Sequence, residues 1–247
     1  MSRIVCTRGL VLRRIAYSNT SQIVTVFGRD EGILTLIAKG SLRLARRSSS
    51  FPSPFDLACW YDIVYRVGSG EMHTAVEGRL IEGFGHVRRH LGCFLDTCLA
   101  LEVLGKMFSP GDPHPEILRG ALSYLKLLAV PGGRRALRVH FHSQLLKESG
   151  LAPHWGRCGE CGVELEEAGP ALRAPVGALC PGCRRTTDER AALDVFRYLD
   201  AEAALPWGQV PSLQASPRVL QECWRILKGM LLYHLERPPR SLRYVRQ

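Results

Sequence analysis

Four of the nine cysteines occur as two closely spaced pairs in the second half of the chain. The first pair is Cys158-Gly-Glu-Cys161, and the second, eighteen residues further on, is Cys180-Pro-Gly-Cys183. Two residues between cysteines allow a tight turn to direct both sulfurs at one ion, and the neighbouring glycines permit that turn. The spacing predicts a tetrahedral site for one Zn²⁺ ion. Because four cysteines leave no open coordination position, the zinc is expected to be structural.

A redox-active pair and an iron centre are the competing interpretations of the same four residues. A thioredoxin-type motif occurs once, on a turn between a strand and a helix, whereas these pairs occur twice in a glycine-rich segment. The other five cysteines stand among apolar neighbours and are predicted to be small buried core residues. They are Cys6, Cys59, Cys93, Cys98 and Cys223.

The sequence contains no arrangement of residues typical of a catalytic site. His86 and His90 have the spacing of two metal ligands on a helix, but Arg88 and Arg89 lie between them and no carboxylate pattern follows. A solvated helix face is their expected role. Catalysis needs a positioned acid, base or nucleophile, and no group of residues supplies one. We therefore expect a protein that is not an enzyme.

An excess of basic side chains indicates an anionic partner. The 247 residues include 33 lysines and arginines and 23 aspartates and glutamates, which gives a net charge of +10. Residues 39–54 hold four of these cations and no acid, and their serines and prolines predict a loop. Residues 158–190, in contrast, carry a net charge of −2.

The polypeptide pattern changes near residue 82. Runs of β-branched and apolar residues at 4–16, 22–27, 33–38, 57–67 and 71–81 predict five antiparallel strands, which fit a small closed barrel. Beyond this point apolar residues recur at helical spacing. We predict an α+β protein with a barrel domain at 1–81, a helical domain at 82–157 and 187–247, and a zinc-finger insert at 158–186.

A small barrel next to a basic loop favours binding to nucleic acid, with cations for phosphates and aromatic rings for bases. Four aromatic residues are candidates for stacking, although core packing is expected for at least half of them: Phe51, Phe55, Trp60 and Tyr61. The candidate DNA-binding cations are Arg13, Arg14, Lys39, Arg43, Arg46 and Arg47.

The sequence predicts no membrane-spanning segment and no secretion signal. No uninterrupted run of about 18 apolar residues occurs, and the N-terminus lacks the apolar core and cleavage site of a signal peptide. We therefore expect a cytoplasmic protein.

Taken together, these features resemble the bacterial RecO family of recombination mediator proteins over nearly the whole chain. Residues 9–13 and 17–27 look like the first two strands of that family, and residues 32–40, which end in Lys39-Gly40, look like its third strand and the start of its basic loop. The helix that leads through Gly150 into Cys158 is also similar. One departure is that Ser41 and Leu42 intervene before Arg43, where the family often has an earlier arginine.

The resemblance implies an OB-fold barrel and a role in DNA repair and recombination. RecO-like proteins bind single- and double-stranded DNA, anneal complementary strands, and act with RecR to load RecA onto DNA coated by the single-strand binding protein SSB, in the bacterial nucleoid. They also contact the acidic C-terminal tail of SSB. Arg134 and Arg138 lie on the helix that looks like the tail-binding region. Some members lack the cysteines, so zinc cannot be essential to the shared activity.

Two other classes of protein remain open from the residues alone. One is a zinc-ribbon protein that binds RNA or takes part in transcription. The other is a subunit of a nucleic-acid enzyme that uses its zinc ribbon to clamp the substrate and has no catalytic site of its own.

Overall fold

A computed structural model describes residues 3–43, 50–128, 132–166 and 169–245. Two compact units are present. One consists of Met1–Arg119 with Pro239–Tyr244, and the other of Gly120–Pro238 with Val245–Gln247. The domain boundaries predicted from the sequence stay a prediction.

The first unit contains a closed barrel of five strands, as predicted for an OB fold. The strands are β1 (Ile4–Ala16), β2 (Gln22–Gly28), β3 (Gly32–Ala38), β4 (Trp60–Arg66) and β5 (Met72–Glu82). Their order around the barrel is β1-β2-β3-β5-β4. Apolar side chains of all five strands and of the segment before β4 fill the barrel interior. The runs of β-branched and apolar residues therefore predicted the strands correctly.

The prediction that all five strands are antiparallel was wrong for one pair. β3 runs parallel to β5, whereas the other neighbours are antiparallel. The reason is topological, because an odd number of strands cannot alternate in direction all the way around a closed ring. The connection between β2 and β3 is the hairpin expected from its turn sequence, and Gly32 has the positive φ of 71° that such turns require.

Helix α1 (Leu91–Met107) also belongs to the first unit, and α2 (Pro115–Leu127) follows it. The carboxylate of Glu102 on α1 accepts hydrogen bonds from the backbone N–H groups of Arg240 (2.7 Å) and Ser241 (2.9 Å). These bonds secure the short 3-10 helix at residues 240–244 to α1.

The second unit packs helices around a buried core and carries a small sheet. Helices α3 (Arg134–Glu148), α4 (Leu193–Ala203) and α5 (Pro217–His234) contact one another. Between α3 and α4, the three short strands β6 (Ala171–Arg173), β7 (Gly177–Leu179) and β8 (Glu189–Arg190) form a sheet in the order β7-β6-β8. The insert predicted at residues 158–186 thus contains two of these strands, β6 and β7, and β8 follows it. No helix in the described part of the chain is long and apolar enough to cross a membrane.

The single cysteines follow the sequence prediction only in part. Cys59, Cys93 and Cys223 are buried, but Cys98 is partly exposed and Cys6 is exposed. The prediction for Cys6 was wrong because apolar neighbours along a strand alternate between the two faces of the barrel, and Cys6 lies on the outer face.

Candidate metal centre and nucleic-acid interface

The four paired cysteines come together at one point of the second unit. The Sγ atoms of Cys158, Cys161, Cys180 and Cys183 all lie within 4.8 Å of one another, and those of Cys161 and Cys180 are 3.7 Å apart. Zinc–sulfur bonds of about 2.3 Å in a tetrahedron place neighbouring sulfurs about 3.8 Å apart. The donor set and its spacing therefore fit a Zn²⁺ ion.

Each cysteine pair forms its own tight turn. In the first, the Gly162 N–H donates to the Cys158 carbonyl (2.8 Å), and Gly162 has a φ of 74°. In the second, the Cys183 and Arg184 N–H groups both donate to the Cys180 carbonyl at 3.1 Å. These turns direct two sulfurs to the same side, as the two-residue spacing predicted.

The sheet between the pairs brings the two turns together. The Gly159 N–H donates to the carbonyl of Ala178 in β7 (2.8 Å), and β7 leads directly into Cys180. A Cβ atom at position 159 would lie only 2.4 Å from the Val176 carbonyl oxygen, so glycine is required at this contact.

Arg173 links the two cysteine turns without contributing a sulfur atom, and it was not among the residues predicted from the sequence. Its guanidinium donates to both carboxylate oxygens of Asp188 (2.9 and 2.5 Å), to Glu160 Oε1 (2.7 Å) and to the Cys183 carbonyl (3.4 Å). Because Glu160 lies in the first cysteine turn and Cys183 in the second, one side chain bridges both. An arginine fifteen residues from its main partner carries no recognisable spacing, so no sequence signal could have indicated this role.

The pKa values of two of the thiols shift in opposite directions. Burial opposes ionisation of Cys158, but backbone N–H groups of Glu160, Cys161 and Cys180 directed at its sulfur outweigh burial and lower its pKa to about 6. Hydrogen bonding with Cys161 and Cys180 raises the pKa of Cys183 to about 12. Ionisation of all four thiols would place four negative charges together, and a divalent metal ion would supply compensating positive charge.

The predicted DNA-binding cations of the barrel are in unequal environments. Arg13, Lys39 and Arg43 are exposed, and in the described part of the chain they form no ion pair. Arg14 is also exposed, but its Nε lies 2.9 Å from Asp56, which also pairs with Arg88 at 3.0 Å. Part of the Arg14 charge is therefore neutralised within the protein. Arg46 and Arg47 lie outside the described residues.

The buried side chain of Gln22 connects the two ends of the basic segment. Its Oε1 atom accepts from Ser41 Oγ and from the Phe55 N–H, both at 3.2 Å, and its Nε2 donates to the Phe55 carbonyl (3.1 Å). Gln22 is only 1% exposed. A polar residue in an apolar strand was the signal for this anchor in the sequence.

The aromatic residues proposed for base stacking mostly belong to the core. Phe51, Phe55 and Tyr61 are buried in the barrel interior, as expected for at least half of the four. Trp60 is partly exposed. The aromatic side chain that the barrel exposes most in this region is Tyr17, at 63%, which was not a candidate.

Family models cover most of the chain. A model described as "Recombination protein O N terminal" matches residues 1–84, which include all five barrel strands, and one described as "Recombination protein O C terminal" matches residues 97–243. The chain belongs to the RecO family.

Curated RecO proteins are similar over 74–98% of this chain. The chain is 29% identical to "DNA repair protein RecO" of Geobacter metallireducens, across 98% of this chain and 96% of that protein. It is 27% identical to the protein of that name in Moorella thermoacetica, across 97% and 89%. A third RecO protein, from Anaeromyxobacter dehalogenans, is 30% identical across 74% of this chain and 71% of its own length.

The RecO resemblance also indicated Arg134 and Arg138 as contacts for an acidic peptide. Arg134 is partly exposed at the start of α3, whereas Arg138 is 1% exposed and its guanidinium carbon lies 4.8 Å from the Trp224 ring centre. The location of Arg138 gives it a role in the core of the second unit, which does not fit a surface contact. The contact by Arg134 stays a prediction.

Near Arg138 in the chain, the core of the second unit contains further buried polar side chains. His140 Nδ1 lies 2.6 Å from Glu202 Oε2, and both residues are at most 1% exposed. His142 Nδ1 donates to the Arg138 carbonyl (2.8 Å), and burial lowers the pKa of His142 to about 4. His142 is therefore neutral at physiological pH.

Proposed function

We propose that this RecO-family chain is a DNA repair and recombination mediator that binds single- and double-stranded DNA and anneals complementary strands. With RecR, it would load RecA onto single-stranded DNA coated by SSB, and it would contact the SSB tail. It carries out no covalent step, and it acts in the cytoplasm at the nucleoid. Membership of the RecO family, whose curated relatives are named DNA repair proteins, supports the repair and recombination role.

Exposed cations near one end of the barrel are the observation that carries the proposal. We refer to Arg13, Arg14, Lys39 and Arg43 as the cationic rim. Lys39 and Arg43 follow β3, and Arg13 lies on the part of β1 that extends beyond its pairing with β4, which ends at Leu10. Exposed cations without an internal counterion bind phosphates independently of base sequence and release counterions on binding. We propose Arg13, Lys39 and Arg43, with smaller help from Arg14, as the DNA contacts in the described chain.

Annealing follows from the same electrostatics. Two DNA strands repel each other through their phosphates, and cations that bind both strands reduce this repulsion. Cationic residues of this chain that bind the acidic tail of SSB would compete with the contacts that SSB itself makes. This competition would weaken the binding of SSB to DNA. We propose Arg134 as one contact of the tail.

We propose that Cys158, Cys161, Cys180 and Cys183 hold one structural Zn²⁺ ion. When bound, the ion would fix the two cysteine turns to each other without offering a coordination position to substrate. The insert at residues 158–186 would then be a zinc finger within a helical domain at 82–157 and 187–247, which follows the barrel domain at 1–81 along the chain. Its net negative charge makes it the part least suited to contact DNA.

A strand-annealing assay tests the proposal. Purified protein is mixed with complementary oligonucleotides coated with SSB, without ATP, and duplex formation is followed by fluorescence at increasing salt. We expect annealing that weakens as salt rises, and slower annealing in a Lys39→Ala/Arg43→Ala variant than in an Arg197→Ala/Arg237→Ala control with the same net charge. Cleavage of the strands, or binding to RNA alone, would overturn the proposal.

A further inference from the structure

Tyr17 is an exposed aromatic residue at the end of a barrel strand. It follows Ala16, the last residue of β1, and its side chain is 63% exposed. Its backbone N–H donates to the Ser21 carbonyl (2.9 Å), which closes the turn between β1 and β2. Within the described chain, the ring stacks on no other aromatic ring. A large exposed ring on a structured turn is available to a ligand with a flat face.

The barrel places Tyr17 beside the cationic rim. Ala16 pairs with Gln22, and Gln22 pairs with Ala38, so the three residues lie side by side across β1, β2 and β3. β1 and β3 run in the same direction, and Tyr17 and Lys39 therefore follow them at the same end of the sheet. Two strand spacings separate these positions by about 10 Å.

Hydrogen bonds hold this arrangement together. The Gly40 N–H donates to Ser21 Oγ (3.3 Å), and the Leu42 N–H donates to the Thr20 carbonyl (3.0 Å). The turn that carries Tyr17 and the start of the segment that carries Lys39 and Arg43 are thus one hydrogen-bonded structure. Ile15, two residues before Tyr17 in the chain, is also exposed, at 43%.

We propose that Tyr17 stacks on an unpaired base of single-stranded DNA while Lys39 and Arg43 contact the phosphates of the same strand. This inference rests on the proposed function and specifies how the rim distinguishes single strands from duplexes. A base in a duplex has both faces covered by its neighbours, whereas an unpaired base can stack on a side chain. Tyr17 therefore contributes to binding of single strands and not of duplexes.

The test measures binding of fluorescein-labelled oligonucleotides to full-length protein by anisotropy. In Tyr17→Ala we expect affinity for single-stranded DNA to fall about tenfold, which is within the range for loss of one base stack. Affinity for duplex DNA stays unchanged, and so does the dependence of affinity on salt, because the ring carries no charge. Tyr17→Phe keeps the wild-type affinity, and Tyr17→Leu loses it, since only phenylalanine retains the ring.

An abasic strand separates stacking from a structural effect of the substitution. On a deoxyribose-phosphate strand without bases, wild type and Tyr17→Ala should bind equally. Tyr233→Ala, which removes a tyrosine of similar exposure (60%) from α5, is the matched control and should bind all ligands as wild type does.

Three results would overturn the inference and leave the proposed function intact. They are unchanged binding of single strands by Tyr17→Ala, an equal loss on the abasic strand, and a reduced salt dependence, which would mean that the rim cations have moved. A wild-type protein that binds no DNA would overturn the proposed function and this inference with it.

Discussion

The cysteine centre and the cationic rim are built in opposite ways. At the cysteine centre, four side chains of one type converge on a single point, and their Sγ atoms lie within 4.8 Å of one another. At the rim, the cations are spread along the end of β1 and the segment after β3, and of those in the described chain Arg14 is paired with Asp56 whereas Arg13, Lys39 and Arg43 form no ion pair. The first arrangement fits one small ion, and the second fits a long polyanion.

The two arrangements differ in how strongly each depends on the exact position of every side chain. A metal centre tolerates little displacement, because ligand distances are defined to within about 0.2 Å. A rim that binds phosphates acts by summed charge, and the loss of one cation only weakens it. Substitutions at the two sites should therefore differ in size and in kind.

Removal of one cysteine ligand should have the largest effect. In Cys158→Ser we expect the bound zinc to fall from one ion per chain to near zero and the second unit to melt at a lower temperature, because an incomplete ligand set holds zinc poorly. Zinc content by mass spectrometry and a thermal melt by circular dichroism measure this. Cys6→Ser, at an exposed cysteine of the barrel, is the control. A variant that kept both zinc and melting temperature would exclude the site.

Gln22→Leu should be the most damaging change near the rim. It leaves the buried N–H and carbonyl of Phe55 without the partner that Gln22 provides, at about 1–3 kcal/mol for each unsatisfied group. Urea denaturation should show a free energy of unfolding lower by about 2–6 kcal/mol. The exposed Gln209→Leu is the control, and equal stability of the two variants would contradict the role of Gln22 as an anchor.

The second unit should lose stability in mild acid because of His142. Its pKa is about 4 when folded, against a usual value of about 6.5, so between these values the unfolded chain binds a proton that the folded chain does not. Stability is therefore complete above pH 6.5 and decreases as the pH falls towards 4. Between pH 7 and 5 we expect wild type to lose about 2 kcal/mol more than His142→Leu. Parallel pH profiles would show that His142 does not titrate in this range.

Arg173→Met should weaken zinc binding without abolishing it. The substitution removes the side chain that bridges Glu160, Cys183 and Asp188, and loss of such outer contacts typically lowers metal affinity about 10–100-fold. Competition with a chelator measures the affinity. Arg157→Met, at an exposed arginine that pairs with Glu164, is the control. If the two variants lost zinc at the same chelator concentration, the bridge would have no effect on the metal.

Single cations of the rim should give the smallest effects, and these should be unequal. For single-stranded DNA, each lost phosphate contact reduces the slope of log K against log salt by about 0.7. Lys39→Ala should show this reduction, whereas Arg14→Ala should show less of it, because Asp56 already neutralises part of its charge. Equal slopes for the two variants would mean that the Asp56 pair opens when DNA binds.

Much of the fold was predictable because its signals are local. The five strands appear in the sequence as runs of β-branched and apolar residues whose bounds lie within three residues of the observed ones, and the hairpin between β2 and β3 follows from its turn residues. The parallel pairing of β3 with β5 was not predicted, since no local pattern records which strands meet when a sheet closes.

The cysteine centre was similarly predictable, but its support was not. Two pairs with two-residue spacing identify directly the four cysteines that the structure brings together, whereas Arg173 reaches Asp188, Glu160 and Cys183 only because the small sheet folds back between the turns. Arg138 is a further case, because its place in the core depends on contact with Trp224, which is far away in the sequence.

The sequence by itself determined the strand pattern, the four cysteines of the candidate metal centre and the basic character of the segment after β3. These properties depend on residue types and short spacings, which act before the chain is folded. Only the tertiary structure decided which cations stay unpaired, which aromatic residues enter the core, and that Tyr17 lies beside Lys39. Those outcomes depend on contacts such as Gln22 with Phe55 and Arg14 with Asp56, whose partners are far apart in the chain and meet only when the barrel closes.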